Sequence, residues 1–383
     1  MKGTVWQRGK TWTYAFSIKQ GGKRRQISKG GYRTKKLAQE ALTEALVDHQ
    51  RGERVEPTKL TVERYLIDEW LPVASARLKA STVGGYSHII DKRLVPHLGD
   101  VQLSELTAGQ VARLHRTLRE DGLSERTILH THRCLSKALE DAARRRLIAR
   151  NVARDVDAPK PVRVEMKVWT IDELRTFLRH TEDDRLGACW VLAASTGMRR
   201  GELLGLRWGD VDLDAGQVAV RRSRVAVGYD VVEGEPKSGR ARTVALDEGT
   251  VAVLRRHRRA QLEERMAWGA AWEDTGAVFT REDGSALHPQ TMAWHFEKAM
   301  RDVAAAVKKA DPKAAPFPII RFHDLRHTHA TLALQAGVHP KVVQERLGHS
   351  SIGITLDLYS HVVPGMQEDA AAKVGAVIFG SGL

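Results

Sequence analysis

Six residues in the second half of the chain carry side chains suited to work at a phosphodiester: Arg199, Lys237, His323, Arg326, His349 and Tyr359. A guanidinium offers a planar fork to two phosphate oxygens. Arg199 follows Ser195-Thr-Gly-Met at the start of a predicted helix, where free N–H groups and the helix dipole also favour an anion. Glu202, three residues on, can hold that arginine in place. His323 and Arg326 stand one turn apart at the start of another predicted helix and share a face. Lys237 sits in Pro236-Lys237-Ser-Gly, read as the tip of a hairpin, where a lysine can bring a proton to a leaving oxygen. His349 follows Leu347-Gly, and Tyr359 closes the short helix predicted beyond it. Its hydroxyl is a nucleophile that can capture phosphorus covalently. Each context alone has an ordinary reading: a surface ion pair, a solvated lysine, a core tyrosine. His323 and His327 also have a metal-ligand spacing, but no acidic or cysteine partner with ligand spacing follows, so no metal is expected.

The surrounding composition bounds what such residues act on. The 383 residues suffice for two or three domains. Lys and Arg number 61 against 47 Asp and Glu, a formal charge of +14 that favours a polyanionic partner. The hydrophobic share of 42% supports packed cores. Cys134 and Cys189 lie in helix-like contexts, without a disulfide framework or zinc spacing. No apolar run approaches the roughly 18 residues of a membrane helix, and no signal peptide is evident, so a cytoplasmic protein with no membrane partner is expected.

The elements that must position these residues fall into segments. Residues 1–55 read as a small sheet followed by a helix. Trp12 to Ile18 alternates large and small side chains with the period of a strand, and Arg24 to Ser28 can pair back with it. A helix follows Thr34, with Leu37, Ala41 and Ala45 in one apolar row and Ala38, Leu42 and Leu46 in the next. Lys23, Arg24, Arg25, Arg33, Lys35 and Lys36 surround this unit as a solvated rim or, the favoured reading, a DNA-facing surface. Residues 56–157 read as all-helical, with breaks at Pro72, Pro96, Gly99 and Gly122. Arg144 and Arg145 stand near the end of the last helix, where cations complement the dipole and could also grip phosphates. Residues 158–168 form a linker, 169–365 a mainly helical unit with a small antiparallel sheet, and 366–383 a tail. The fold class expected is therefore α+β and multidomain.

Taken together, Thr196-Gly-Met-Arg-Arg-Gly-Glu202, Lys237 in its turn, His323-Asp-Leu-Arg326-His327, Leu347-Gly-His349 and Tyr359 resemble the motifs of the tyrosine recombinases, in family order and at family-like spacing. Within that family the chain is most similar to phage and integrative-element integrases. Leu123-Ser-Glu-Arg-Thr127 and Leu147-Ile-Ala-Arg-Asn151 resemble the core-site-binding domain, and residues 1–55 resemble the arm-site-binding domain. The resemblance implies that Tyr359 attacks the scissile phosphate and forms a 3′-phosphotyrosine. It implies that Arg199 and Arg326 stabilise the phosphate, His349 donates to it, and Lys237 protonates the 5′ oxygen. His323 would serve as general base or phosphate orienter, and Glu202 would position Arg199. It further implies no cofactor, a tetramer on double-stranded DNA attachment sites, and DNA-bending and directionality factors as accessory partners. A type IB topoisomerase, a non-catalytic DNA-binding regulator and a chromosomal resolvase of the same family are the alternatives.

Overall fold

In a computed structural model, which describes residues 3–20, 23–50, 59–162, 166–228, 230–236, 241–359 and 366–380, the alternating run at Trp12 forms the middle strand of a three-stranded antiparallel sheet. The strands are β1 (Gly3–Arg8), β2 (Thr11–Gln20) and β3 (Lys23–Tyr32), in that spatial order. Tyr14 and Phe16 of β2 bury against Leu42 and Ala45 of α1 (Lys35–Gln50). Both apolar rows on α1 contribute, through Ala38, Leu42 and Ala45, while Leu37 is 47% exposed. Strand β1 was not expected from the sequence. Gly3-Thr-Val-Trp-Gln-Arg shows only a weak alternation, and its pairing is set by the tight turn at Gly9 (φ 61°), a conformation glycine adopts freely.

The helical segment contains α2 (residues 62–75), α3 (residues 80–98), α4 (Ala108–Glu120) and α5 (Glu125–Arg144). Thr107 and Ser124 cap α4 and α5. Pro72 and Pro96, expected as breaks, lie inside α2 and α3. Each follows a widened turn, Tyr65–Trp70 and Ile90–Leu94, which relieves the clash between a proline ring and the carbonyl one turn back. The core is Tyr65, Leu66, Ile90, Leu94, Leu114, Leu118, Ile128 and Leu135. Buried polar ends are satisfied: the Tyr65 hydroxyl donates to the Ala138 carbonyl at 2.8 Å, and Trp70 Nε1 donates to Asp141 at 2.9 Å. Contacts divide the whole chain into two compact units, Met1–Arg163 and Val164–Leu383.

The second unit opens with α6 (Ile171–His180), capped reciprocally by Thr170 and Glu173. Helix α7 (Gly187–Thr196) is buried on nearly every side, which explains its run of apolar and small residues. Around it Trp169, Phe177, Trp190, Phe296 and Phe322 pack ring against ring at 4.9–5.8 Å. Short α8 (Arg200–Leu204) follows. Strands β4 (Val211–Asp212), β5 (Gln217–Val220) and β8 (Arg242–Ala245) make one sheet, and β6 (Ser223–Val227) and β7 (Asp230–Gly234) a separate hairpin. Then come α9 (Glu248–Trp268), α10 (Pro289–Ala310), α11 (Asp324–Gln335), α12 (Pro340–Leu347) and α13 (Ile352–Tyr359). The segment expected only as a tail contains α14 (Met366–Phe379). Among the described residues, no helix is long and apolar enough to cross a membrane.

Candidate active site

Helix α7 ends at Gly197, whose φ of 64° turns the chain so that Arg199 sits at the mouth of α8. Arg199 donates from its backbone N–H and from Nη1 to the carboxylate of Glu202, both at 2.9 Å. Glu202 is fully buried, while the Arg199 side chain is 23% exposed. Three residues on from the His323 position that precedes α11, Arg326 is 3% exposed. Its Nη1 donates to the Gly197 carbonyl and its Nη2 to the Leu347 carbonyl, each at 2.7 Å.

The C-terminal end of α12 is the meeting point. A helix leaves its last carbonyls without partners, and its dipole makes that end negative. Here guanidinium groups fill the vacancy. Arg326 bonds to the Leu347 carbonyl, Arg199 reaches the Leu347 and Gly348 carbonyls at 3.5 and 3.3 Å, and Arg242 Nε donates to the Arg346 carbonyl at 2.8 Å. Gly348 leaves the helix at φ 65°, and the next residue is His349. The sequence-distant residues Arg199, Arg326 and His349 are thus brought together by one helix end.

The electrostatics follow from this crowding of cations. His349 is half-buried and shares a hydrogen bond with Thr355 through Nδ1 at 2.9 Å. Burial first, then Arg326 and Arg199, pushes its imidazole down to about 3, so it is neutral near pH 7. His323 is pushed down to about 4 by burial, then by His327 and Arg326. The residue is nonetheless exposed, so solvent weakens both the burial and the repulsion. Its ring meets that of His327 edge-on at 5.2 Å. Burial alone would raise the Glu202 carboxyl; the bonds from Arg242 and Arg199 outweigh it and hold the group at about 2.

Tyr359 ends α13, the helix that follows His349, but its side chain lies outside the described residues. Lys237 also lies outside them. It falls between β7 and β8. The side chains of Lys23, Arg24 and Arg25 on β3 are likewise outside the described residues, whereas Arg33, Lys35 and Lys36 are exposed. Arg144 pairs with Asp141, and Arg145 donates to Glu69 at 2.7 Å and lies over the Tyr65 ring, so both have local roles. Sequence reasoning assigned no role to Arg242. Its signal was that Arg242 and Val244 share one face of β8, and Val244 is buried; an arginine on a buried face needs a carboxylate. A groove of about 1090 Å³ beside Trp208, Arg221 and Arg258 shares no residue with this cluster.

Residues 167–365, more than half of the chain, match the phage integrase family. The chain belongs to that family. Residues 6–48 of this integrase match an arm DNA-binding domain, and residues 64–118 a phage integrase N-terminal SAM-like domain. It is 30% identical over 364 residues to an integrase of Streptomyces ambofaciens, covering 92% of this chain and 89% of the relative. It is 28% identical over 359 residues to a "tyrosine recombinase XerC-like" protein of Caldanaerobacter subterraneus subsp. tengcongensis, covering 88% of each. Its fold is similar to that of lambda integrase, solved as a tetramer bound to a Holliday junction, with a TM-score of 0.57, 20% identity, and coverage of 91% of this chain and 95% of that one. The protein is accordingly a tyrosine recombinase of the integrase type, an enzyme that cuts and rejoins DNA. The topoisomerase, regulator and resolvase readings are not favoured.

Proposed function

We propose that this integrase cleaves its attachment site with Tyr359 as nucleophile, integrating a mobile element and excising it again. The phenolic oxygen attacks the scissile phosphorus, a 3′-phosphotyrosine bond forms, and the bond to the 5′ oxygen breaks. Lys237 supplies the proton that this oxygen takes up. The bond energy is kept in the protein–DNA ester, so the rejoining step needs no high-energy cofactor. Arg199 and Arg326 stabilise the charge that builds on the non-bridging oxygens, and His349 donates a further hydrogen bond. Neutral His323 accepts the tyrosine proton or orients the phosphate; a bound phosphate offsets the repulsion that keeps its affinity for a proton low. Glu202 holds Arg199. Fixed cations take the part that metal ions play elsewhere, and the same cations repel a metal from the His323–His327 pair.

The observation that carries this reading is that Arg199 and Arg326 both bond to the Leu347 carbonyl, directly before Gly348 and His349. The partners proposed are duplex core and arm sites, with Arg33, Lys35 and Lys36 among the arm contacts and Arg144 and Arg145 as weaker core contacts. A tetramer on DNA is proposed from the likeness to lambda integrase, with bending and directionality factors as accessories and the cytoplasm as the place of action. The test is a nicked duplex cut from the junction that flanks the gene. Wild-type protein should form a detergent-stable covalent complex with it, also in excess EDTA. Tyr359→Phe should bind the same duplex and trap none; a covalent adduct on the Phe variant would overturn the assignment.

A further inference from the structure

The buried Glu202 carboxylate has a second cationic partner besides Arg199. Arg242 Nη1 and Nη2 donate to its two oxygens at 3.0 and 2.7 Å, a bidentate fork, while Arg242 Nε donates to the Arg346 carbonyl at 2.8 Å. We propose that Arg242 is a positioning residue for DNA cleavage: it holds Glu202 ionised and in place, so that Arg199 keeps its orientation and its pull on the scissile phosphate. This rests on the reading of Arg199 as a phosphate ligand.

Geometry, charge and burial argue for it separately. Arg242 spans β8, the helix carrying Glu202 and the end of α12, so one planar group ties together the elements that carry Arg199 and His349. A buried carboxylate facing Arg199 alone would cancel its charge just where an anion must bind. A second guanidinium leaves the trio with a net positive charge. Arg242 does not contact the substrate itself. Its side chain is 11% exposed, its donors are directed into the protein, and a Cβ at Gly348 would lie 3.0–3.2 Å from its guanidinium, so the backbone of that residue covers it closely. Lysine cannot supply this geometry, because an ammonium has no planar fork.

The carboxylate that Arg242 stabilises gives the test its handle. Without the fork, Glu202 keeps its burial and loses its strongest partner, so its affinity for a proton rises. Arg242→Met should therefore bind the nicked duplex with unchanged affinity yet cleave it about 100-fold more slowly. Its rate should fall more steeply than the wild-type rate as the pH drops through the mildly acidic range. Arg242→Lys should recover part of the rate. If Arg242 acts through Glu202, adding Glu202→Gln to Arg242→Met should cost little more than either change alone. Full-rate cleavage by Arg242→Met, or losses that multiply in the double variant, would overturn the proposal. Should Arg242→Met fail to fold, Arg242→Lys and Arg242→Gln carry the same test, and wild-type rate and pH profile in either would overturn it. A wild-type protein that forms no covalent complex would instead sink the reading of the site.

Discussion

In the proposed reaction, Arg199 and Arg326 meet the phosphate already ordered. Their donors to Glu202, Gly197, Leu347 and Gly348 fix both guanidiniums before DNA arrives, so little side-chain freedom remains to be lost on binding. Preorganised donors of this kind lower the barrier because nothing has to reorient as charge develops. Lys237 is proposed for a different task, and the two tasks separate by the atom they serve. Lys237→Ala should slow cleavage of an ordinary phosphodiester by about 10²–10⁴-fold, the usual worth of a general acid. Replacing the 5′ bridging oxygen by sulfur should restore most of that rate, since a thiolate leaves without a proton. The same substitution should do little for Arg199→Ala, whose defect lies at the non-bridging oxygens. Equal rescue of both variants, measured as single-turnover cleavage rates, would remove Lys237 from the proton-donor role.

Helix ends position most of what matters at the scale of elements, and they also show what a sequence can reveal. The Gly197 turn and the start of α11 were legible because glycine and helix spacing are local signals. The Arg242–Glu202 fork was not, because it joins residues from different elements and a basic strand looks solvated until its buried face is known. The prolines misled for the opposite reason: Pro72 and Pro96 are strong local stop signals that packing around Tyr65, Leu66, Ile90 and Leu94 overrides through a widened turn. One helix end departs from the local rule. Arg146 follows α5 at φ 58°, alone among the described non-glycine residues in having a positive φ. The Arg146 and Leu147 N–H groups bond back to the Ala143 and Ala142 carbonyls at 2.9 Å each, the pattern in which glycine is usual. The left-handed conformation costs a non-glycine residue about 1 kcal/mol. Arg146→Gly should therefore stabilise the helical segment by up to about 1 kcal/mol, seen as a higher urea midpoint with unchanged slope. A lower midpoint would mean that the arginine side chain contributes more than its backbone strain removes.

For the whole molecule, the proposed binding of separate core and arm sites asks the formal charge of +14 to serve more than one stretch of DNA. The sheet-and-helix segment at the N-terminus has its own small core of Tyr14, Phe16, Leu42 and Ala45 and its own exposed cations, Arg33, Lys35 and Lys36. A segment that folds around its own core is suited to binding DNA apart from the point of cleavage, and its match to an arm DNA-binding domain points the same way. A protein starting at Val55 should therefore still form the covalent complex with a nicked core site, at close to the full-length rate. It should lose integration between full attachment sites, where separate arm contacts are required. Residues 1–55 alone should bind duplex DNA weakly at low salt, and the affinity should fall with salt at a log–log slope of about −0.9 for each phosphate neutralised. The two measurements constrain each other. Loss of core-site cleavage on truncation would place the segment in the catalytic assembly. Full integration by the truncated protein, or no measurable affinity of residues 1–55 for DNA, would assign those cations to protein contacts instead.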